Sequence, residues 1–210
     1  MSKIHIIGCG PGHPGFLTAA AFSAVLRADL LVGAEHLLNL FPAVDCQRIA
    51  VSGTMTAVLD QVAESEAETI CVLVSGDTGL FSLARMFINR FGRERCQLLP
   101  GISSIQLACA RLAIDWSDLK IISGHGRTPD ADLAQLRQSD KIALLAGDDA
   151  AITWLADQWQ ELGNDYEVAS CENLSLETES IRYFSKVADL NAAELPSRTI
   201  LFLCKRGILR

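Results

Sequence analysis

Six consecutive residues, Thr69-Ile70-Cys71-Val72-Leu73-Val74, are apolar or β-branched with no polar alternation. A strand with one wet face alternates, whereas a strand covered on both faces does not, so this run predicts a parallel sheet sandwiched between helices. The flanking sequence agrees. Apolar residues at Met55, Val58, Leu59 and Val62 fall at i, i+3, i+4 and i+7 and predict a helix over 54–66. Further strands are expected over 3–7, 30–32 and 96–99, with helices over 18–27, 35–41, 80–91 and 102–112 between them. Thr18 is the expected N-cap of the 18–27 helix, whose apolar face would hold Phe22, Val25 and Leu26. Ile102, Ile105, Cys109 and Leu112 would form the buried stripe of the 102–112 helix.

The pattern breaks at Asp115-Trp116-Ser117-Asp118 and then resumes. Strands are expected over 120–123 and 141–145, with helices over 130–137 and 149–162. The tail differs: 166–170, 180–184 and 199–204 all read as strands, with only a short helical piece, 186–190, before the last. Antiparallel pairing follows. The fold class is α/β: an N-terminal domain (1–114) with a mostly parallel sheet and a C-terminal domain (119–210) with a mixed sheet.

Composition narrows the function. Of 210 residues, half are hydrophobic and a fifth charged, and the formal net charge is −7. That balance disfavours a nucleic-acid partner, which needs clustered lysine and arginine. No uninterrupted apolar run approaches ~18 residues, so no membrane span is expected. The opening Met1-Ser2-Lys3-Ile4-His5-Ile6-Ile7 stops at glycines too soon for a signal peptide, which predicts a cytosolic protein. The seven cysteines are scattered without a C-x-x-C pair, so buried reduced thiols are expected and no metal site. Thirteen of the 18 basic residues are arginine, whose planar fork suits an anionic small molecule.

Three glycine-bearing segments leave strand ends. Gly8-Cys9-Gly10-Pro11-Gly12-His13-Pro14-Gly15 stands between a strand and a helix. It departs from the dinucleotide fingerprint, since His13 replaces the last glycine and Pro11 removes an N–H that would cradle a pyrophosphate. Nor is it a P-loop, having no G-K-[ST]. Ser75-Gly76-Asp77-Thr78-Gly79 follows the 69–74 strand, and Pro100-Gly101-Ile102-Ser103-Ser104 follows the 96–99 strand. Each alone can be a tight turn or a helix cap.

Taken together with Ser123-Gly124-His125-Gly126-Arg127 and Glu172-Asn173-Leu174-Ser175, their order and spacing resemble the tetrapyrrole (corrin/porphyrin) methylase family over nearly the whole chain. The resemblance implies two α/β domains with a cleft between them, bound S-adenosylmethionine, a tetrapyrrole substrate and a homodimer. Transferred by motif, the cofactor would meet Gly76, Asp77, Thr78, Phe81, Gly101, Ser103, Ser104, Ala146 and Asn173. The tetrapyrrole would meet Gly8, Gly10, Pro11, Gly12 and His13. Two departures stand out: Thr78 where the family usually has proline, and Leu80-Phe81 where an aromatic pair ending in tyrosine is common. The H-G-R and E-N-L-S segments point within the family to methylation of carbon 5 of a corrin precursor, with a separate enzyme serving carbon 15.

Methyl transfer from a sulfonium to an electron-rich carbon needs alignment more than acid–base help. No essential nucleophile is therefore expected. His125 is a hypothetical base for the proton leaving the macrocycle, although a loop histidine can equally hydrogen-bond backbone. Arg127 and then Arg85 are the expected partners of substrate carboxylates. Any cobalt would arrive inside the substrate. Two alternatives stay open: another tetrapyrrole position, and a non-catalytic module holding a nucleotide-like ligand.

Overall fold

The structure is a computed structural model and describes residues 2–126, 129 and 131–209. The chain divides into two compact units, Met1–Ser103 and Ser104–Arg210. In the first, β1 (Lys3–Gly8), β2 (Leu30–Gly33), β3 (Gln47–Ala50), β4 (Thr69–Val74) and β5 (Cys96–Leu99) form one sheet in the order β3-β2-β4-β1-β5. Every pairing in it is parallel.

Helices cover both faces, which is why β4 lacks alternation. Ile70, Val72 and Val74 pack with Val58 and Val62 of α3 (Met55–Glu64) and Phe87 and Phe91 of α4 (Ala84–Phe91). Cys71 and Leu73 pack with Ala21, Ala24 and Val25 of α1 (Ala19–Val25) and with Leu37 and Leu38 of α2 (Glu35–Leu38). Thr18 caps α1 as expected, its Oγ1 accepting from the Ala21 N–H at 3.1 Å. The buried face of α1 differs from the expectation. It is Ala21, Ala24 and Val25, leaving Phe22 and Leu26 48% and 57% exposed. Small residues let the helix sit close to the sheet, and the large ones turn outward.

α4 begins at Ala84 rather than at 80, because Phe81 sits in the left-handed region at φ +46 and breaks the helical path. It ends as expected at Gly92, φ +88. β3 is an unforeseen strand. Its mostly exposed Gln47 and Arg48 carry no apolar signal, and Arg48 instead donates to the carbonyls of Leu38, Phe41 and Val44.

The second unit opens with α5 (Ser104–Leu112), whose Ile105, Cys109 and Leu112 are buried as expected, while Ile102 lies before the helix. Its sheet runs β6 (Lys120–Ser123), β7 (Lys141–Leu145), β10 (Thr199–Lys205), β8 (Tyr166–Glu172), β9 (Ser180–Phe184). β6 and β7 are parallel; β10 is antiparallel to both β7 and β8, giving the expected mixed sheet. α6 (Leu133–Arg137), α7 (Asp149–Leu162) and α8 (Val187–Asn191) contribute Leu136, Trp159 and Leu190 to its core.

The division falls ahead of α5, whereas the sequence reading put the linker at 115–118. The reason is visible locally. α5 packs on β10, and Lys141 Nζ pins the 115–118 turn through the Asp115 carbonyl at 2.6 Å and the Asp118 carboxylate. Among the described residues, no helix is long and apolar enough to cross a membrane.

Candidate functional site

β1 leads through α1 toward β2 on one side, while β4 leads through α4 to β5 on the other. Adjacent strands whose connections leave in opposite directions open a crevice at their carboxyl ends, where ligands bind in such sheets. The first two glycine segments lie there, after β1 and β4, and the third follows β5 beside them. The Gly10 and Gly76 backbones exchange two hydrogen bonds, N–H to carbonyl at 3.2 and 2.8 Å, and close the β1 and β4 loops on each other. Gly76 adopts φ +66, which glycine reaches without strain.

The loops touch through bare backbone. A Cβ on Gly8 would stand 2.5 Å from Gly101 N and 2.8 Å from the Gly76 oxygen. A Cβ on Gly101 would stand 2.6 Å from both the carbonyl carbon and oxygen of Gly8. Gly8 and Gly101 therefore build the platform by having no side chains, with the Gly76 carbonyl oxygen beside them. Asp77 locks it. One carboxylate oxygen accepts from Gly101 N at 3.0 Å and the other from Gly79 N at 2.8 Å. Its side chain thus holds the β4 and β5 loops together and caps no helix, α4 starting seven residues later. Around it, Thr78 and Ser103 are buried and Phe81 is 53% exposed.

Pro11 and Gly12 continue the loop to His13, which is exposed and accepts from Gly15 N at 3.0 Å through Nδ1. Arg85 lies in the first turn of α4 and is exposed. Cys9 is buried on the same loop, and burial pushes its thiol up to about 12, leaving no thiolate to react at neutral pH.

In the second unit the ends of β6, β7 and β8 share one edge of the sheet with the start of β10. Ala146 N donates to Thr199 O at 3.1 Å and Asn173 N to Arg198 O at 3.0 Å, so both predicted residues flank that start. His125 lies against Gly147: a Cβ there would stand 2.5 Å from its Nδ1, and φ +79 at Gly147 makes the turn. Arg127 lies outside the described residues. Asn173 and Ser175 hold φ +48 and +70. With Phe81, they put three of the four described non-glycine residues of positive φ on the predicted cofactor loops. Such strain persists where surroundings enforce it, and it concentrates at ligand sites.

A cavity of about 250 Å³ lies at this edge, lined by Ile152, Leu195 and Pro196 together with Asp148 and Asp149. Apolar walls suit a flat ring, and two carboxylates suit a cationic ligand. Sequence reasoning missed Gly147, Leu195 and Pro196. The strand-then-Gly-Asp pattern at 146–148 was the available signal. A larger hollow of about 630 Å³ opens at the other end of the first sheet. Asp29, Glu64, Glu66 and Glu68 line it, and it faces the amino ends of the strands. Carboxylates there would repel an anionic substrate, so the loops and not this hollow form the candidate site.

Residues 3–191 match the family description Tetrapyrrole (Corrin/Porphyrin) Methylases. The chain is 30% identical over 188 residues to a cobalt-precorrin-7 C(5)-methyltransferase of Salmonella typhimurium, covering 89% of this chain and 92% of that one. The crystal structure of a cobalamin biosynthesis precorrin-6Y methylase from Archaeoglobus fulgidus aligns with TM-score 0.73 and 25% identity, covering 97% and 98% of the two chains. A uroporphyrin-III C-methyl transferase from Thermus thermophilus, complexed with S-adenyl homocysteine, shares the fold at TM-score 0.78 and 18% identity, over 97% of each chain.

Proposed function

Because this chain belongs to the tetrapyrrole (corrin/porphyrin) methylase family, we propose that it is an S-adenosylmethionine-dependent methyltransferase acting on carbon 5 of precorrin-7 or cobalt-precorrin-7 in cobalamin biosynthesis. The observation that carries the reading is the meeting of the Gly8, Gly76 and Gly101 loops at the carboxyl ends of three neighbouring strands.

The bound cofactor supplies a methyl group on a cationic sulfonium. Gly76, Asp77, Thr78, Phe81, Gly101 and Ser103 of the first unit, with Ser104, Ala146 and Asn173 of the second, are its proposed contacts. In the second unit, the carboxylates of Asp148 and Asp149 beside Ala146 suit a cationic group. Gly8, Gly10, Pro11, Gly12 and His13 are the proposed tetrapyrrole contacts, with Arg85 and Arg127 for its carboxylates. In the reaction the ring carbon forms a bond to the methyl carbon as the carbon–sulfur bond breaks, and a proton then leaves the macrocycle. His125 is the proposed acceptor of that proton. Positioning alone can supply several kcal/mol, up to roughly 7–11 in ideal cases, so no charged nucleophile is required.

We further propose a cytosolic homodimer, with carbon 15 served by a separate enzyme, since the name of the Salmonella relative covers carbon 5 alone. The test is parallel incubation with precorrin-7 and cobalt-precorrin-7, reading product mass and methyl position by NMR. A methyl at carbon 5 supports the assignment. A methyl at another carbon would keep the enzyme class and reject the position, and transfer to no tetrapyrrole would reject both. H125A should slow turnover without weakening cofactor binding; near-full turnover would remove His125 from the mechanism. R127A should weaken substrate far more than cofactor.

A further inference from the structure

We propose that Glu179 is a positioning residue for cofactor binding: its carboxylate braces the strained 173–175 turn to helix α5. The proposal rests on the cofactor reading above.

The two carboxylate oxygens have different partners. Ser175 N donates to Oε2 at 2.6 Å, and Arg111 Nε donates to Oε1 at 2.6 Å. One partner belongs to the turn after β8 and the other to the last turn of α5. Both bonds are charge-assisted, the stronger class. The turn needs such support. Asn173 and Ser175 both lie in the left-handed region, which asparagine enters readily but serine occupies where neighbours hold it. Asn173 N to Arg198 O and Leu176 N to Asn173 O secure the flanks, and Glu179 reaches the Ser175 amide between them.

α5 starts at Ser104, a proposed cofactor contact, and Arg111 stands seven residues, roughly 10.5 Å, along it. The brace therefore ties the helix presenting Ser104 to the turn presenting Asn173. An exposed ion pair by itself contributes little. Asp60–Arg90 is such a pair, with both side chains about half exposed, and it serves as the control. In contrast, the Glu179 side chain is 23% exposed and holds a backbone amide as well.

The experiment titrates S-adenosylhomocysteine into wild type, E179A, E179Q, R111A and D60A by calorimetry well below their melting temperatures. E179A should raise Kd about tenfold, from loss of a charge-assisted bond and relaxation of the turn, with kcat at saturating cofactor within about twofold. E179Q should recover to within about threefold of wild type, because its amide oxygen still accepts from Ser175. R111A should fall between the two, and D60A should match wild type. Amide exchange at Ser175 should quicken in E179A and not in D60A. Wild-type affinity in E179A, or in R111A and E179Q together if E179A does not fold, overturns the proposal. So does E179Q binding as weakly as E179A, which would mark a general structural role. Failure of wild type to bind S-adenosylhomocysteine would instead reject the cofactor reading, and the brace with it.

Discussion

Adding one methyl group to Gly8 tests whether the site is a platform of touching backbones. In G8A the new Cβ would lie 2.5 Å from Gly101 N, 2.7 Å from Gly101 Cα and 2.8 Å from the Gly76 oxygen. All are main-chain atoms, so no rotamer change can relieve the overlap. Ordinary contact begins at 3.4 Å, so the β5 loop must retreat by about 0.9 Å. Overpacking on this scale costs about 1–3 kcal/mol. For a unit of about this size that lowers the melting temperature by roughly 5–20 °C. A displacement near 1 Å in reacting geometry can cost about 10²-fold in rate, so kcat/KM should fall on that order. G53A is the control, with φ +73 but open space around the added Cβ. It should lose about 1 kcal/mol to backbone strain and keep its activity. Calorimetric melting, S-adenosylhomocysteine titration and steady-state kinetics read all of this. A G8A protein matching wild type in melting and in affinity would refute the argument.

Other outcomes follow from single residues. D77N retains one carbonyl oxygen for two loop amides, 3.0 and 2.8 Å away in wild type, and should lose about 1–3 kcal/mol by urea denaturation. An unchanged midpoint would show that the Gly101 tie is dispensable. The hydrogen bond from Arg111 holds the Glu179 carboxyl below its ordinary value of 4.5. Its contribution to stability is therefore fully present above that pH and is lost as pH falls through the lower folded value. The stability gap between wild type and E179Q should shrink in acid, and a gap that widens there would be the wrong sign. Burial pushes Cys9, Cys71, Cys171 and Cys204 up to about 12 and Cys109 to about 11. A thiol reagent at pH 8 should label the half-buried Cys46 and Cys96 first, mapped by mass spectrometry, and C9A should keep its turnover. Rapid native labelling of Cys9 would contradict its burial.

Much of the fold was legible in residues close along the chain. The unalternating 69–74 run announced a strand covered on both faces, the period of Val58 and Val62 announced α3, and Thr18 announced a cap. These properties arise from local sterics, from burial pattern and from hydrogen bonds a few residues long. The order of the glycine segments was legible too, and with it the family. Pairing was not. That Gly8, Gly76 and Gly101 press backbone against backbone depends on β1 inserting between β4 and β5. That choice is made by buried surfaces drawn from residues about 70–90 positions apart. The same holds for the polar edge strand β3, for α1 turning Phe22 outward, and for Glu179 finding both Arg111 and Ser175. Each is settled by what the folded chain sets beside a residue, which a one-dimensional period does not encode.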